Sequence, residues 1–137
     1  MAKNDSQRIT SCTISWESSE DILSVVTRVL PKEIQVRFYS SSELISGKIW
    51  PLSEQQRQEL FGVLYKCLDD WDRDDYTADM TDCPCWQFKI CAKGSCLRTI
   101  AGTAAPLPHG KEVKEIIAGI IGEDNFYFFG RKSTPRR

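Results

Sequence analysis

The sequence predicts an α+β domain in which an antiparallel sheet of about six strands packs one face against two helices. Segments with alternating apolar and polar residues precede residue 53 and follow residue 84. Segments with apolar residues at helical spacing begin near residues 53 and 111. The 137-residue chain has the usual length of one domain, so we expect a single domain over 1–130 and a basic flexible tail at 131–137.

The first four strands are predicted as an antiparallel meander. In 9–16, Cys12, Ile14 and Trp16 alternate with polar residues. The run 22–30 also fits a helical stripe, but its Val and Thr content favours a strand. Alternation over 34–39, a serine-rich turn and the apolar run 44–50 complete the meander.

Both helices have recognisable ends. Ser53 and Gln56 form a Ser-x-x-Gln capping box, which predicts the start of the first helix. Apolar residues then recur at helical spacing, so one helix face is buried and Cys67 is interpreted as a core residue. The second helix is predicted over 111–121 with Gly122 as its C-terminal cap, and the apolar segment 126–129 is expected to pack back on the domain.

Two more strands, 85–92 and 95–101, are predicted between the helices. In the first of them Trp86, Phe88 and Ile90 face the core, whereas the residues between them face away from it. The hairpin therefore has one buried and one open face.

Composition limits the possible partners. The chain has 18 Lys and Arg against 19 Asp and Glu, so no net charge attracts nucleic acid or an anionic membrane, and another protein is the expected partner. The amino terminus lacks the basic and apolar segments of a signal peptide, and the chain contains no membrane-length apolar run. We therefore expect a cytoplasmic protein.

Four of the six cysteines, Cys83, Cys85, Cys91 and Cys96, lie within one short run. In a strand over 85–92, Cys85 and Cys91 are about 20 Å apart, too far to share a zinc ion whose ligand bonds are about 2.3 Å. The run also lacks the paired C-x2-C spacing of zinc sites, so we expect no bound metal. Free thiols are favoured over a disulfide, since a reducing cytoplasm keeps thiols unpaired.

A two-residue turn at 93–94 predicts a specific hairpin register. Cys91 then faces Cys96 across the strands, slightly beyond the preferred disulfide separation, so a reversible disulfide would need only a small adjustment. The same register places Lys89 opposite Arg98, a repulsive pair unless an acid or a partner lies over it. This face is therefore a candidate binding surface.

Aromatic and charged residues cluster over 71–86, a combination that is typical of binding hot spots and equally of core and rim. The aspartates at 70, 72 and 74 match the first ligand positions of an EF-hand loop, but the loop lacks the glycine and the bidentate glutamate that should follow, so a solvated acidic loop is favoured over a calcium site. The candidate binding residues are Trp71, Asp72, Asp74, Asp75, Tyr76, Lys89 and Arg98.

No catalytic residues are predicted, and no cofactor is expected. His109 is the only histidine, and no motif supplies it with a nucleophile or an orienting acid. The sequence also contains no glycine-rich phosphate loop and no Gly-x-Ser-x-Gly motif. We therefore interpret His109 as a loop or helix-entry residue and favour a non-enzymatic protein.

Scattered residues over 52–121 follow a recurring order: Leu52-Ser53-Glu54 opening a helix, Trp71, Tyr76, Asp82, Trp86-Gln87-Phe88-Lys89-Ile90, Gly94, and Gly102 ahead of Pro106 and a last helix. This order resembles a set of small, uncharacterised bacterial α+β proteins, in which a Trp/Tyr…Asp-Gly-x-x-Trp-like hairpin and a Gly…Pro loop connect two helices. Cys83 replaces the glycine of that pattern, and 103–105 lack its loop asparagine. The resemblance implies a strand meander followed by this order, and some similarly built domains act as protease inhibitors or toxin-neutralising partners.

Two functional hypotheses follow. The first is a small cytoplasmic protein-binding domain of the inhibitor or immunity type. The alternative is a thiol-based redox or metal-responsive protein that uses Cys83, Cys85, Cys91 and Cys96. A free-thiol count together with metal analysis distinguishes them.

Overall fold

Strands and two helices make up most of the chain that the structure describes. The computed structural model describes residues 9–17, 23–41, 43–72, 75–76, 85–92, 95–102, 108–122 and 125. The elements are β1 (Ser11–Glu17), β2 (Leu23–Val29), β3 (Glu33–Ser40), β4 (Glu43–Pro51), α1 (Glu54–Asp70), β5 (Asp75–Tyr76), β6 (Cys85–Ala92), β7 (Ser95–Gly102) and α2 (Gly110–Ile121).

All strands belong to one sheet in the order β4-β3-β2-β1-β6-β7-β5. The six long strands are antiparallel to their neighbours, and the two-residue β5 runs parallel to β7. The predicted α+β class with six antiparallel strands and two helices is confirmed. The first four strands form the predicted meander, and β6 then returns to pair with β1, so β1 lies in the middle of the sheet.

Alternation along the strands separates a buried face from an open face. On β1 the side chains of Cys12, Ile14 and Trp16 are fully buried, and the intervening residues lie on the opposite side. On β2, the segment with the ambiguous pattern, Val25 and Val29 are fully buried in the same way. Because β2 pairs with β1 on one side and with β3 on the other, this segment is a strand and not a helix.

The helices cover one face of the sheet. The predicted capping box of α1 is present: the amide of Gln56 donates to Ser53 Oγ at 3.1 Å, and the amide of Ser53 donates to Gln56 Oε1 at 2.9 Å. The predicted core position of Cys67 is confirmed, since it is fully buried. α2 ends as predicted at Gly122, whose φ of 95° suits glycine.

The β6–β7 hairpin confirms one predicted pair and corrects another. Cys91 pairs with Cys96, as expected. The predicted pairing of Lys89 with Arg98 is wrong, because a register shift next to Cys91 adds one residue to β7, and Lys89 pairs with Thr99 instead. Lys89 and Arg98 therefore lie on opposite faces of the sheet.

Several predictions concern residues outside the described ones: the turn at 93–94, the apolar segment 126–129 and the tail 131–137. Within the described residues, neither α1 nor α2 has the length and apolar character needed to cross a membrane.

Candidate protein-binding surface

Trp71, a predicted binding residue, belongs to the core. It follows the last residue of α1 and is 3% exposed. Its ring packs edge-on against Phe88 with centroids 4.9 Å apart, and its Nε1 donates to the carbonyl of Pro108 at 2.9 Å. Trp71 thus fastens the end of α1 to the sheet and to the segment that leads into α2.

Arg98 supports the same junction. Its register partner Ile90 is fully buried, which places Arg98 on the face covered by the helices. From there Nη1 donates to the carbonyl of Trp71 at 2.9 Å. A cation at this position also complements the partial negative charge at the carboxyl end of a helix. The geometry gives Arg98 a structural role.

The other candidates from 72–76 are only partly described. Asp72 is exposed just beyond α1. Asp74 lies outside the described residues. The backbone of Asp75 and Tyr76 forms the short strand β5, which pairs with Ala101 and Gly102. The backbone of residues 75 and 76 therefore lies at the β7 edge of the sheet.

His109 forms a clamp that the sequence analysis missed. Its Nε2 lies 2.6 Å from Asp70 Oδ2 and its Nδ1 lies 2.7 Å from Glu112 Oε1, so it links the end of α1 to the first turn of α2. The hydrogen bonds to Asp70 and then to Glu112 raise the pKa of His109 above its usual value. Since both ring nitrogens contact carboxylates, neither is free to act as a general base. In the sequence, the His-x-x-Glu spacing at the start of α2 indicates the contact of His109 with Glu112, but no local pattern indicates its contact with Asp70.

The clamp predicts a pH-dependent stability. A pKa that is raised by folding stabilises the protein fully below the unfolded value of about 6.5, and this contribution is lost as the pH rises through the folded value. We expect His109→Asn to lower the melting temperature at about pH 6 and to have a smaller effect at about pH 8.5. Asparagine tolerates the left-handed backbone of residue 109, whose φ is 64°, so the comparison isolates the imidazole. A melting-temperature difference that is the same at both pH values would contradict the clamp.

The described cysteines divide into two kinds. Cys12 and Cys67 are buried, and burial raises the pKa of both thiols, that of Cys67 to about 12, so these two are unreactive. Cys91 is half-buried and Cys96 is exposed on the neighbouring strand, with Cys96 Sγ 3.0 Å from Thr99 Oγ1. Both are free thiols. Of the predicted redox candidates, the structure brings Cys91 and Cys96 together.

Cys83 and the side chain of Cys85 lie outside the described residues. The backbone of β6 nevertheless runs unbroken from Cys85 to Ala92, as the argument against zinc requires. Among the described residues, no group of three or more His, Cys, Asp or Glu side chains is placed to hold a metal ion.

The open face, meaning the sheet face opposite the helices, carries three cations that the sequence analysis did not connect. Arg28, Arg37 and Lys89 are exposed, and each lies between inward-facing neighbours on its strand. We call these three residues the cationic patch. Thr13 pairs with Arg28 on one side and with Lys89 on the other, so the two cations flank the central strand.

The patch is dense in positive charge. Strands about 4.8 Å apart put the backbones of Arg28 and Lys89 about 10 Å apart. Arg37 lies on β3, two residues along from Gln35, the partner of Arg28. None of the three forms an ion pair with a carboxylate of the described residues. The patch could not be read from the sequence, because its members come from three strands whose order was unknown.

Arg37 also reaches the edge of the sheet. Its Cγ lies 3.6 Å from the position that a Cβ would occupy on Gly47, the residue opposite it on β4. A Cβ at this position would make an ordinary van der Waals contact with the Arg37 side chain, which therefore packs against the backbone of β4.

In comparisons with known proteins, no family model matches the chain and no curated protein matches it significantly.

Proposed function

We propose that the protein is a non-enzymatic, cytoplasmic protein-binding domain whose open face receives an acidic surface of its partner. The cationic patch carries this proposal, since three cations of one face lack a carboxylate partner among the described residues. The resemblance to small, uncharacterised α+β proteins agrees with it, since some similarly built domains act as protease inhibitors or toxin-neutralising partners.

The chemistry of the patch favours carboxylates. Arg28 and Arg37 each present a planar guanidinium that binds a carboxylate through two hydrogen bonds, and Lys89 adds a third charge. The side chains of Thr13, Ser15 and Gln87 around them offer further hydrogen-bonding groups, whereas Gln35 Nε2 already donates to Glu33 Oε2 at 2.6 Å. Such a surface gives a partner fast, salt-sensitive association.

A protein partner is favoured over a nucleic acid. Sheets that bind single-stranded nucleic acid place aromatic side chains under the bases. On the open face, the described aromatic residue is Tyr39, next to Arg37 on β3, and no described aromatic side chain lies between Arg28 and Lys89. The near-neutral net charge of the chain agrees with this choice.

The test compares two charge-reversal variants in capture from nuclease-treated extracts of the source organism. The patch variant carries Arg28→Glu, Arg37→Glu and Lys89→Glu. The control variant carries the same charge change on exposed helix positions, Lys66→Glu, Lys111→Glu and Lys114→Glu.

We expect an acidic protein to be captured by the wild type and by the control variant, and to be lost from the patch variant. With the purified partner, the patch variant should raise Kd at least about tenfold at moderate salt, with a smaller ratio at high salt. Equal capture by both variants, or binding that nuclease removes, would contradict the proposal.

The pairing of Cys91 with Cys96 favours a second candidate function, reversible thiol oxidation. With diamide as the oxidant, the two thiols would lose two electrons and two protons to form a disulfide, and diamide would be reduced to its hydrazine. We expect peptide mapping to find a Cys91–Cys96 bond, and Cys91→Ser to prevent it. A bond from Cys96 to Cys83 or Cys85 instead would remove the most favourable site for this function.

A further inference from the structure

Exposed apolar side chains border the cationic patch on the open face. Leu44 pairs with Tyr39 and Ile49 pairs with Gln35, so each lies on the same face as its partner on β3. Leu44 and Ile49 are 56% and 62% exposed. We call these two residues the apolar rim. Exposed apolar side chains beside an aromatic residue and an arginine are typical of a surface that another protein covers.

Arg37 of the cationic patch lies between the two residues of the apolar rim. Gln35, Arg37 and Tyr39 follow one another at every second position of β3, so all three lie on the open face. At about 3.3 Å per residue they span about 13 Å, with Arg37 in the middle. Its side chain packs against the backbone of β4 at Gly47, its register partner. The apolar rim therefore has a cation at its centre.

We propose that the partner docks on this surface through an amphipathic acidic helix, with a carboxylate on Arg37 and an apolar side chain on each residue of the apolar rim. This inference rests on the proposed function and names the element that the open face receives. Positions i, i+4 and i+8 of a helix lie on one side and span about 12 Å, which matches the spacing of the surface. The recognition pattern is therefore apolar, acidic, apolar at four-residue steps.

A helix lying on the face is favoured over a strand added at the edge of β4. An added strand would lie three strand spacings, about 14 Å, from the backbone of Arg28 on β2. A helix about 10–12 Å in diameter resting on β3 and β4 has a flank beside β2, where further acidic residues bind Arg28. Lys89, about 10 Å beyond Arg28, lies within about one Debye length of that flank at 0.1 M salt and adds to the attraction.

A second copy of the chain does not supply this helix from α1 or α2. The large apolar side chains of both helices are buried in the core or packed against it. Neither helix has an apolar stripe left to cover the rim, so the occupant is a helix of a different protein.

Fluorescence anisotropy with two synthetic helical peptides tests the proposal. The first peptide carries Leu, Glu and Leu at positions i, i+4 and i+8, with further Glu residues on one flank. The second has the same composition, but its Leu residues are scattered around the helix. We expect the wild type to bind the first peptide at least about tenfold more tightly than the second, because only the first covers the apolar rim.

A rim variant and a matched control separate this preference from charge. Leu44→Ser with Ile49→Ser removes the apolar rim and should abolish the preference for the first peptide. Gln55→Ser with Gln58→Ser makes the same number of changes at exposed positions of α1 and should retain it. Circular dichroism checks the folding of each variant.

The patch variant distinguishes failure of this inference from failure of the proposed function. It should weaken the binding of both peptides, because they carry the same charge. If the wild type binds both peptides equally and the patch variant weakens both, the proposed function stands and the amphipathic helix is wrong. Equal binding by the wild type and the patch variant would contradict the proposed function itself. A preference for the first peptide that persists in the rim variant would overturn the docking site.

Discussion

Replacing Trp86 with alanine is expected to lower the free energy of unfolding by about 3–5 kcal/mol. Trp86 is 2% exposed and lies between Trp16 of β1 and Gly102 of β7 in the ladder. Truncation leaves a cavity beside a strand that cannot move, because both of its edges are paired. This loss is a large fraction of the free energy of unfolding of a typical domain, which is about 5–15 kcal/mol.

Denaturant unfolding measures the effect of Trp86→Ala. Gln87→Ala is the matched control, because Gln87 is the next residue on the same strand and points to solvent. We expect the control to change stability by less than about 0.5 kcal/mol. If Trp86→Ala cost less than about 1 kcal/mol, the face assigned to β6 would be wrong by one residue.

The second large effect is expected at Trp71, where alanine should cost about 3–5 kcal/mol. Trp71 packs on Phe88. Its Nε1 donates a hydrogen bond to the carbonyl of Pro108, and its own carbonyl accepts one from Arg98. Trp71→Phe keeps the aromatic ring but leaves the carbonyl of Pro108 without this donor, so an intermediate loss of about 1–3 kcal/mol is expected.

The same denaturant experiment separates a core role for Trp71 from a surface role. Lys66→Ala, at an exposed position of α1 near its end, should be nearly neutral, within about 0.5 kcal/mol. A partner-binding tryptophan at the surface would give the opposite pattern, with stability retained in Trp71→Ala and binding lost.

The sequence predicted the elements well where one local rule decided them. Alternation identified β1, β3 and β6, and Ser53 and Gly122 marked helix ends through their own caps. These signals depend on the nearest few residues, which the sequence displays directly.

The candidate site was harder to predict because its geometry depends on distant pairings. A single extra residue in β7 moved Arg98 to the covered face, and alternation alone does not reveal such a bulge. His109 obtains one of its carboxylates from Asp70, 39 residues earlier. The cationic patch exists only because β6 returns to the side of β1, and no local pattern specifies that return.

The place of β1 in the sheet has a consequence for how the chain folds during synthesis. The hydroxyl of Thr10, just before β1, donates to the carbonyl of Cys91, 81 residues later. As the chain leaves the ribosome, β1 to β4 and α1 can assemble first, but one side of β1 stays unpaired until β6 has been made. Closing so long a loop slows folding, and until then the nascent protein exposes a second sheet edge beside the apolar Ile14 and Trp16.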